Sequence, residues 1–244
     1  MNISDLFMRS KNIYHLSLID PGKTNPNNIP TIVKKLEREG TDCILVGGSD
    51  SLHTEVVSNT ITSIKRNTGL KVIQIIRDAS EIDVNSDGVI VPLVLNSYDV
   101  SYCLGIATNS IHILKELGMP YIPIGYILIG FPSTASFVTK TIPVPKTRPK
   151  IIKHLAVAAE GIGLRALYLE GGSGSPTPIP EEFIKVASEN TSIPIMVGGG
   201  IKTGRQARAA INAGANIIVT GSVIEEKGTI REIMRAIREM RRTI

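Results

Sequence analysis

Eight short apolar runs rich in Ile, Val and Leu recur along the chain, and most are followed by a segment of helical periodicity. That alternation constrains the fold more than any other feature. The runs are IYHLSLI (13–19), CILVG (43–47), KVIQII (71–76), GVIVPL (88–93), YIPIGYILI (121–129), ALYLE (166–170), IPIMVGG (193–199) and NIIVTG (216–221). None alternates cleanly between apolar and polar residues, so each strand is expected to be covered on both faces, as in parallel sheets flanked by helices. Helical spacing predicts helices over 27–39, 51–67, 101–118, 148–162, 180–189, 203–213 and 229–242, with Gly40, Gly69, Gly118 and Gly214 at their C-caps. This order predicts an α/β fold, a closed (β/α)8 TIM barrel. The third crossover is the exception. RDASEIDVNSD is too short and too acidic for a full helix, so a loop or turn is expected there. No linker, repeat or low-complexity segment divides the chain, which reads as one domain, 1–244.

Composition removes several functional classes. Cys43 and Cys103 lie inside apolar runs without zinc-like or disulfide spacing, which fits a reducing, cytoplasmic setting. The N-terminus lacks a basic segment followed by a long apolar one, and no apolar run approaches the roughly 20 residues of a membrane span. The net charge of +5 favours an anionic partner, and much of it sits in REIMRAIREMRRTI. Ile230, Ile233, Met234, Ile237 and Met240 recur there at helical spacing, so an amphipathic helix with solvated arginines is expected, with transient membrane-surface contact as a second reading. No aromatic residues interleave with the charges, and nucleic acid is not an expected partner. Histidines 15, 53, 112 and 154 show no ligand spacing and are given no role.

In TIM barrels the chemistry sits at the C-terminal ends of the strands. After the seventh and eighth runs come VGGGIKTG and VTGS, where Gly199, Gly200, Gly221 and Ser222 let backbone N–H groups approach a phosphate, with a helix N-terminus behind them. Ser173 and Gly174 in EGGSGSP add donors from the sixth loop. Tyr168 and Glu170 lie two apart on a strand and point into the same mouth. A carboxylate repels phosphate, so Glu170 is better suited to accept a hydrogen bond from a hydroxyl of the phosphate-bearing molecule, a small polyol phosphate. At the other end, Asp20 in LIDPGK and Ser49 in VGGSDS are too few for a protein metal cage. They suffice for Mg²⁺ when substrate phosphate oxygens and water complete its shell, which implies a second anionic substrate, a diphosphate. Lys23 adds positive charge there. Asp50 is a rival ligand whose blander role is to cap the helix beginning at Ser51. The apolar YIPIGYILIGFPSTAS either packs as core or lines a hydrocarbon groove.

LIDPGK, GTDCILVGGSDS, YIPIGYILIGFPS, YLEGGSGSP, VGGGIKT and IVTGS, in this order and spacing, resemble the geranylgeranylglyceryl phosphate synthases, ether-lipid prenyltransferases of archaea with bacterial PcrB-type relatives. The wording is closer to the archaeal group. The resemblance covers nearly the whole chain. It implies a modified barrel whose third helix is replaced by a strand or loop, and transfer of a geranylgeranyl group from its diphosphate to the 3-hydroxyl of sn-glycerol 1-phosphate, with Mg²⁺. It implies metal binding by Asp20 and Ser49. Glycerol phosphate would be held by Tyr168, Leu169, Glu170, Gly171, Gly172, Ser173 and Gly174, with Gly199, Gly200, Gly221 and Ser222. Glu170 and Tyr168 become the catalytic candidates, and a homo-oligomer is the expected assembly. Other readings are a sugar-phosphate isomerase using Asp20 and Glu170 as its acid/base pair, an FMN-binding barrel, and a non-catalytic phosphate- or lipid-binding protein. The isomerase leaves GGSDS and the apolar fifth run unexplained.

Overall fold

The computed structural model describes residues 3–7, 12–48, 53–172, 174–221 and 229–243. Strands β1 (Tyr14–Ile19), β2 (Cys43–Val46), β3 (Lys71–Ile75), β4 (Gly88–Val94), β5 (Tyr121–Leu128), β6 (Leu167–Glu170), β7 (Ile195–Gly198) and β8 (Ile217–Thr220) are parallel and close into a barrel in chain order, with β8 returning to β1. Each lies inside one of the apolar runs, except that β4 extends one residue beyond its run, to Val94. Helices α1 (Ile3–Leu6), α2 (Ile29–Glu39), α3 (Thr54–Asn67), α4 (Ile106–Glu116), α5 (Thr134–Val138), α6 (Lys150–Gly161), α7 (Glu181–Asn190), α8 (Gly204–Asn212) and α9 (Thr229–Arg241) complete the described elements. The (β/α)8 expectation is met. Two short helices, α1 and α5, were not anticipated, because neither is long enough to display a 3.6-residue period. The predicted helix 101–118 begins as a wide π turn, Ser101–Gly105, before α4. Gly40, Gly118 and Gly214 take left-handed φ after their helices, as expected. Gly69 does not, since α3 is ended by extended Thr68.

Alternate strand residues face opposite ways, and this divides the core in two. Leu16, Leu45, Ile73, Ile90, Ile124, Met196 and Ile217 fill the barrel, while residues such as Val72, Val89, Leu169 and Val197 pack outward against the helices. Ile3, Leu6 and Phe7 of the α1 segment join the inner group and stopper the N-terminal end of the barrel. Gly88 opens β4 there, and a Cβ on it would stand 2.5 Å from Ile3 Cδ1.

The third crossover carries only a 3₁₀ turn, Ala79–Glu81. β3 therefore lacks a helix of its own after it, and a polar side chain takes up the adjoining loop. Gln74 points outward, is 2 % exposed, donates from Nε2 to the Glu81 carbonyl (2.8 Å) and accepts from the Asp83 N–H (2.8 Å). Gln74→Ala would strand both backbone groups, at a cost of about 2–4 kcal/mol. Urea unfolding is expected to show that loss, and a midpoint equal to wild type would refute the role.

The basic C-terminal helix behaves as the amphipathic reading expected. Ile230, Ile233, Met234 and Ile237 of α9 are buried. Its arginines are engaged within the protein: Arg231 with Glu39, Arg235 with Glu239, Arg238 with the Glu39 carbonyl, and Arg241 with Asp42 and the Ile13 carbonyl. Beside that contact, His15 is buried between Thr41 and Thr220 (3.2 and 2.9 Å). Burial first, and the Arg241 charge second, push its pKa down to about 3, so it stays neutral and structural. Among the described residues, no helix is long and apolar enough to cross a membrane.

Candidate active site

Strand parity carries the chemistry to one mouth. The last inward positions of successive strands supply Asp20 after β1, Gly47 after β2, Arg77 after β3, Tyr126 on β5, Tyr168 and Glu170 on β6, and Gly221 after β8. All line one cavity of about 370 Å³ at the C-terminal face. Gly172, Gly174, Gly199 and Gly200 border the same space. Leu169, between the two β6 candidates, faces the opposite way into the outer core and is fully buried, so its side chain does not reach the cavity. Gly171 is turned toward β7, its N–H donating to the Gly198 carbonyl at 2.9 Å. Ser49, Asp50, Ser173 and Ser222 lie outside the described residues.

Glu170 is 8 % exposed, and Gly172 N–H donates to its Oε1 at 2.6 Å. Burial pushes the carboxyl above the usual glutamate range, while hydrogen bonds from the Tyr168 hydroxyl and the Gly172 N–H pull it partway back. Tyr168 thus holds Glu170 as well as facing the cavity. The Tyr126 ring meets Tyr168 edge-on, with centroids 5.1 Å apart and planes at 84°. Burial, and then the neighbouring Glu170 charge, raise both phenols well above their ordinary pKa. They stay protonated, as hydrogen-bond donors. Gly198 makes this packing feasible, because a Cβ there would stand 2.4 Å from the Tyr168 hydroxyl and 2.9 Å from Glu170 Oε2.

The phosphate end is built from backbone. Gly199 and Gly200 take left-handed φ of 84° and 75°, and a Cβ on Gly200 would stand 2.5 Å from the Thr177 carbonyl oxygen. Among the described residues, the N–H groups of Gly174, Gly200 and Gly221 have no protein acceptor, which suits an oxyanion. The helix expected behind Gly199–Gly200 does not contribute as anticipated. The first turn of α8 is already capped: Thr203 Oγ1 accepts from Gln206 N–H at 3.2 Å, and Glu232 Oε1 accepts from Gly204 N–H at 3.1 Å.

At the opposite rim, Asp20 accepts from Gly22 N–H (3.0 Å) and pairs with Lys23 Nζ (3.2 Å). Gly48 lies directly against it, with Asp20 Oδ1 2.4 Å from where a Cβ would be. Among the described residues no cluster of three or more His, Cys, Asp or Glu could enclose a metal. A single carboxylate suits an ion whose other ligands are substrate oxygens and water. Between the two rims the wall is apolar: Ile75, Ile76, Pro92, Val94, Tyr102, Ile106 and Val138. Of the fifth run, Ile122, Ile124, Ile127 and Ile129 are core, and Tyr126 alone lines the cavity. The greasy surface comes from the ends of β3 and β4, the π turn, the start of α4 and the end of α5. Sequence reasoning missed Tyr126 and Arg77. Counting strand parity, two residues on from Ile124 and four on from Ile73, would have found both.

A (β/α)8 barrel with a buried, tyrosine-held carboxyl, a backbone phosphate cup and an apolar wall in one mouth defines a phosphate-binding barrel enzyme with a hydrophobic second substrate. The PcrB family model matches residues 7–241. The geranylgeranylglyceryl phosphate synthase of Pyrococcus horikoshii is 36% identical over 227 residues, 93% of this chain and 89% of the relative. That of Thermofilum pendens is 36% identical over 236 residues, 95% of this chain and 92% of the relative. The crystal structure of (S)-3-O-geranylgeranylglyceryl phosphate synthase from Thermoplasma acidophilum, in complex with sn-glycerol-1-phosphate, superposes with a TM-score of 0.91 at 32% identity, covering 100% of both chains. The chain belongs to the PcrB family, that of the geranylgeranylglyceryl phosphate synthases.

Proposed function

We infer that this protein joins sn-glycerol 1-phosphate to geranylgeranyl diphosphate, giving 3-O-geranylgeranyl-sn-glyceryl 1-phosphate and diphosphate, the ether-forming step of archaeal-type membrane lipid synthesis. The observation that carries the reading is the Tyr168–Glu170 pair, placed on β6 between the backbone phosphate cup and the apolar wall. Glycerol phosphate sits with its phosphate at the N–H groups of Gly174, Gly200 and Gly221 and its hydroxyls toward Glu170. The carboxylate accepts the proton of the 3-hydroxyl as that oxygen attacks the allylic carbon. The carbon–oxygen bond to the diphosphate breaks, and the diphosphate leaves with the electron pair. The apolar wall holds the polyprenyl chain and keeps water from the allylic carbon, while fixing both partners in one cavity contributes by proximity.

Asp20, with Ser49, would hold Mg²⁺ through the diphosphate, and the bound ion would neutralise charge developing on the leaving group. Among the described residues lining the cavity at that rim Asp20 is the one acid, which supports sharing the ion with substrate. A cytoplasmic setting fits the two unpaired cysteines, Cys43 and Cys103. Self-association is part of the same reading, supported by apolar side chains left outside the core, Tyr98, Val100, Phe137 and Ile142.

The test is incorporation of labelled sn-glycerol 1-phosphate into ether lipid with Mg²⁺, scanned across prenyl diphosphates from farnesyl to heptaprenyl. Turnover is expected, with geranylgeranyl diphosphate preferred; no product with any of them overturns the reading. Asp20→Asn is expected to raise the Mg²⁺ concentration needed for half-maximal rate about tenfold or more, in line with losing a ligand carboxylate. Its KM for glycerol phosphate should stay near wild type. An unchanged Mg²⁺ requirement would remove Asp20 from the metal site.

A further inference from the structure

The cavity offers two kinds of anion ground, and they lie on opposite sides. At β6 to β8, among the described residues lining the cavity, the phosphate-facing donors are backbone N–H groups and none of the residues is a lysine or arginine. Among the described residues lining the cavity, the cations are Lys23 and Arg77, both on the β1–β3 side. Neutral N–H donors suit a monophosphate; a diphosphate concentrates more charge and calls for cations.

Arg77 is placed for that task. It continues the inward register of Ile73 and Ile75 just past the end of β3, and its side chain is 20% exposed. Glu81 holds it at the backbone and at the head: Oε2 accepts the Arg77 backbone N–H at 2.9 Å, and Oε1 accepts from Nη2 at 2.5 Å. At the intervening rim of β2 the described residues are Gly47 and Gly48, which carry no side chain. A Cβ on Gly47 would stand 2.4 Å from Ile75 Cγ2, and one on Gly48 would stand 2.4 Å from Asp20 Oδ1. Glycine is needed at both, which leaves a flat floor between Asp20 and Lys23 on one side and Arg77 on the other.

We propose that Arg77 binds the diphosphate of the prenyl substrate, opposite Lys23 across the Gly47–Gly48 floor, and stabilises the diphosphate as it leaves. The assignment rests on the prenyl-transfer reading. A guanidinium remains charged at every working pH and its planar fork matches two phosphate oxygens, which an ammonium cannot reproduce. Glu81 is a positioning residue, acting through Arg77.

The experiment uses the full chain, with inorganic diphosphate as probe alongside steady-state kinetics. For Arg77→Gln, the KM for geranylgeranyl diphosphate and the inhibition constant of inorganic diphosphate are each expected to rise about tenfold or more, the scale of one lost charge-assisted contact. The KM for sn-glycerol 1-phosphate should change less than about twofold on the same scale. Arg77→Lys should recover part of the loss, and Glu81→Gln should fall between wild type and Arg77→Gln; this ordering stands as the test if the Gln variant does not fold. Thermal stabilisation of the wild type by inorganic diphosphate, reduced in the Arg77 variants, reads binding without turnover. It therefore separates failure of this assignment from failure of the prenyl-transfer reading. An unchanged diphosphate constant, or equal weakening toward both substrates, overturns the proposal and leaves the Arg77–Glu81 pair as a structural bridge.

Discussion

Glu170→Gln is expected to lower kcat about 10²–10⁴-fold, the usual contribution of a positioned general base, while leaving the protein as stable as wild type or more so at neutral pH. The first half follows from proton transfer: the amide is nearly isosteric with the carboxyl but cannot take the hydroxyl proton. The second follows from linkage. Burial raises the folded-state pKa of Glu170 above its ordinary value. Between the unfolded and folded values the folded state binds more protons than the unfolded one, so stability falls as pH rises through that window. Above it the buried charge is a standing cost, and Gln removes that cost. The same raised pKa predicts that kcat/KM of the wild type climbs with pH through a value above the normal glutamate range, since the ionised form is the base. Stopped-time assays across pH, with thermal melts of both proteins, check the two halves together. A Gln variant that keeps its turnover shows that Glu170 only anchors the substrate, and one that melts well below wild type shows that the carboxyl is structural.

Gly198→Ala is the second large effect, although it alters no functional group. The added methyl would stand 2.4 Å from the Tyr168 hydroxyl, 2.9 Å from Glu170 Oε2 and 3.0 Å from Cε2 of the Tyr168 ring. The β6–β7 register, which pairs Glu170 with Gly198, keeps the backbone from yielding. The two side chains must therefore move out of their shared hydrogen bond. Overpacking of this kind costs about 1–3 kcal/mol of stability. The larger consequence is catalytic, because a displacement of about 1 Å in a reacting group can cost roughly 10²-fold in rate. The variant is expected to fold, to melt several degrees lower, and to lose at least that much in kcat with a modest change in the prenyl diphosphate KM. Wild-type kcat would mean that the pair tolerates repacking and its geometry is not critical.

The barrel was legible because each strand announces itself locally: a β-branched run buried on both faces needs no knowledge of its neighbours. The missing third helix was legible for the same reason, since RDASEIDVNSD leaves no room for one. What the local pattern could not supply was cross-strand geometry. That Tyr168 leans on Glu170 depends on Gly198, nearly thirty residues away along the chain. The α8 N-terminus looked like a phosphate seat after VGGGIKTG, yet Glu232 on α9 occupies it, and no window around residue 204 contains that fact. Leu169 illustrates a simpler limit. The motif YLEGGSGS names a contiguous run, but a strand shows the cavity only every second residue, so the middle position belongs to the packing behind it.

The stopper formed by Ile3, Leu6 and Phe7 has a kinetic consequence. A barrel closed at one end is a vessel with a single opening, and two substrates of very unequal bulk must use it. Whichever binds deeper has to arrive first, and the joined product cannot depart until the diphosphate has cleared the neck. On the proposed reading, glycerol phosphate would contact the cup at β6 to β8, and the prenyl chain would lie across the remaining face. Steady-state patterns should therefore report a compulsory order of entry instead of a random one, with inhibition by inorganic diphosphate depending on how much of the small substrate is already aboard.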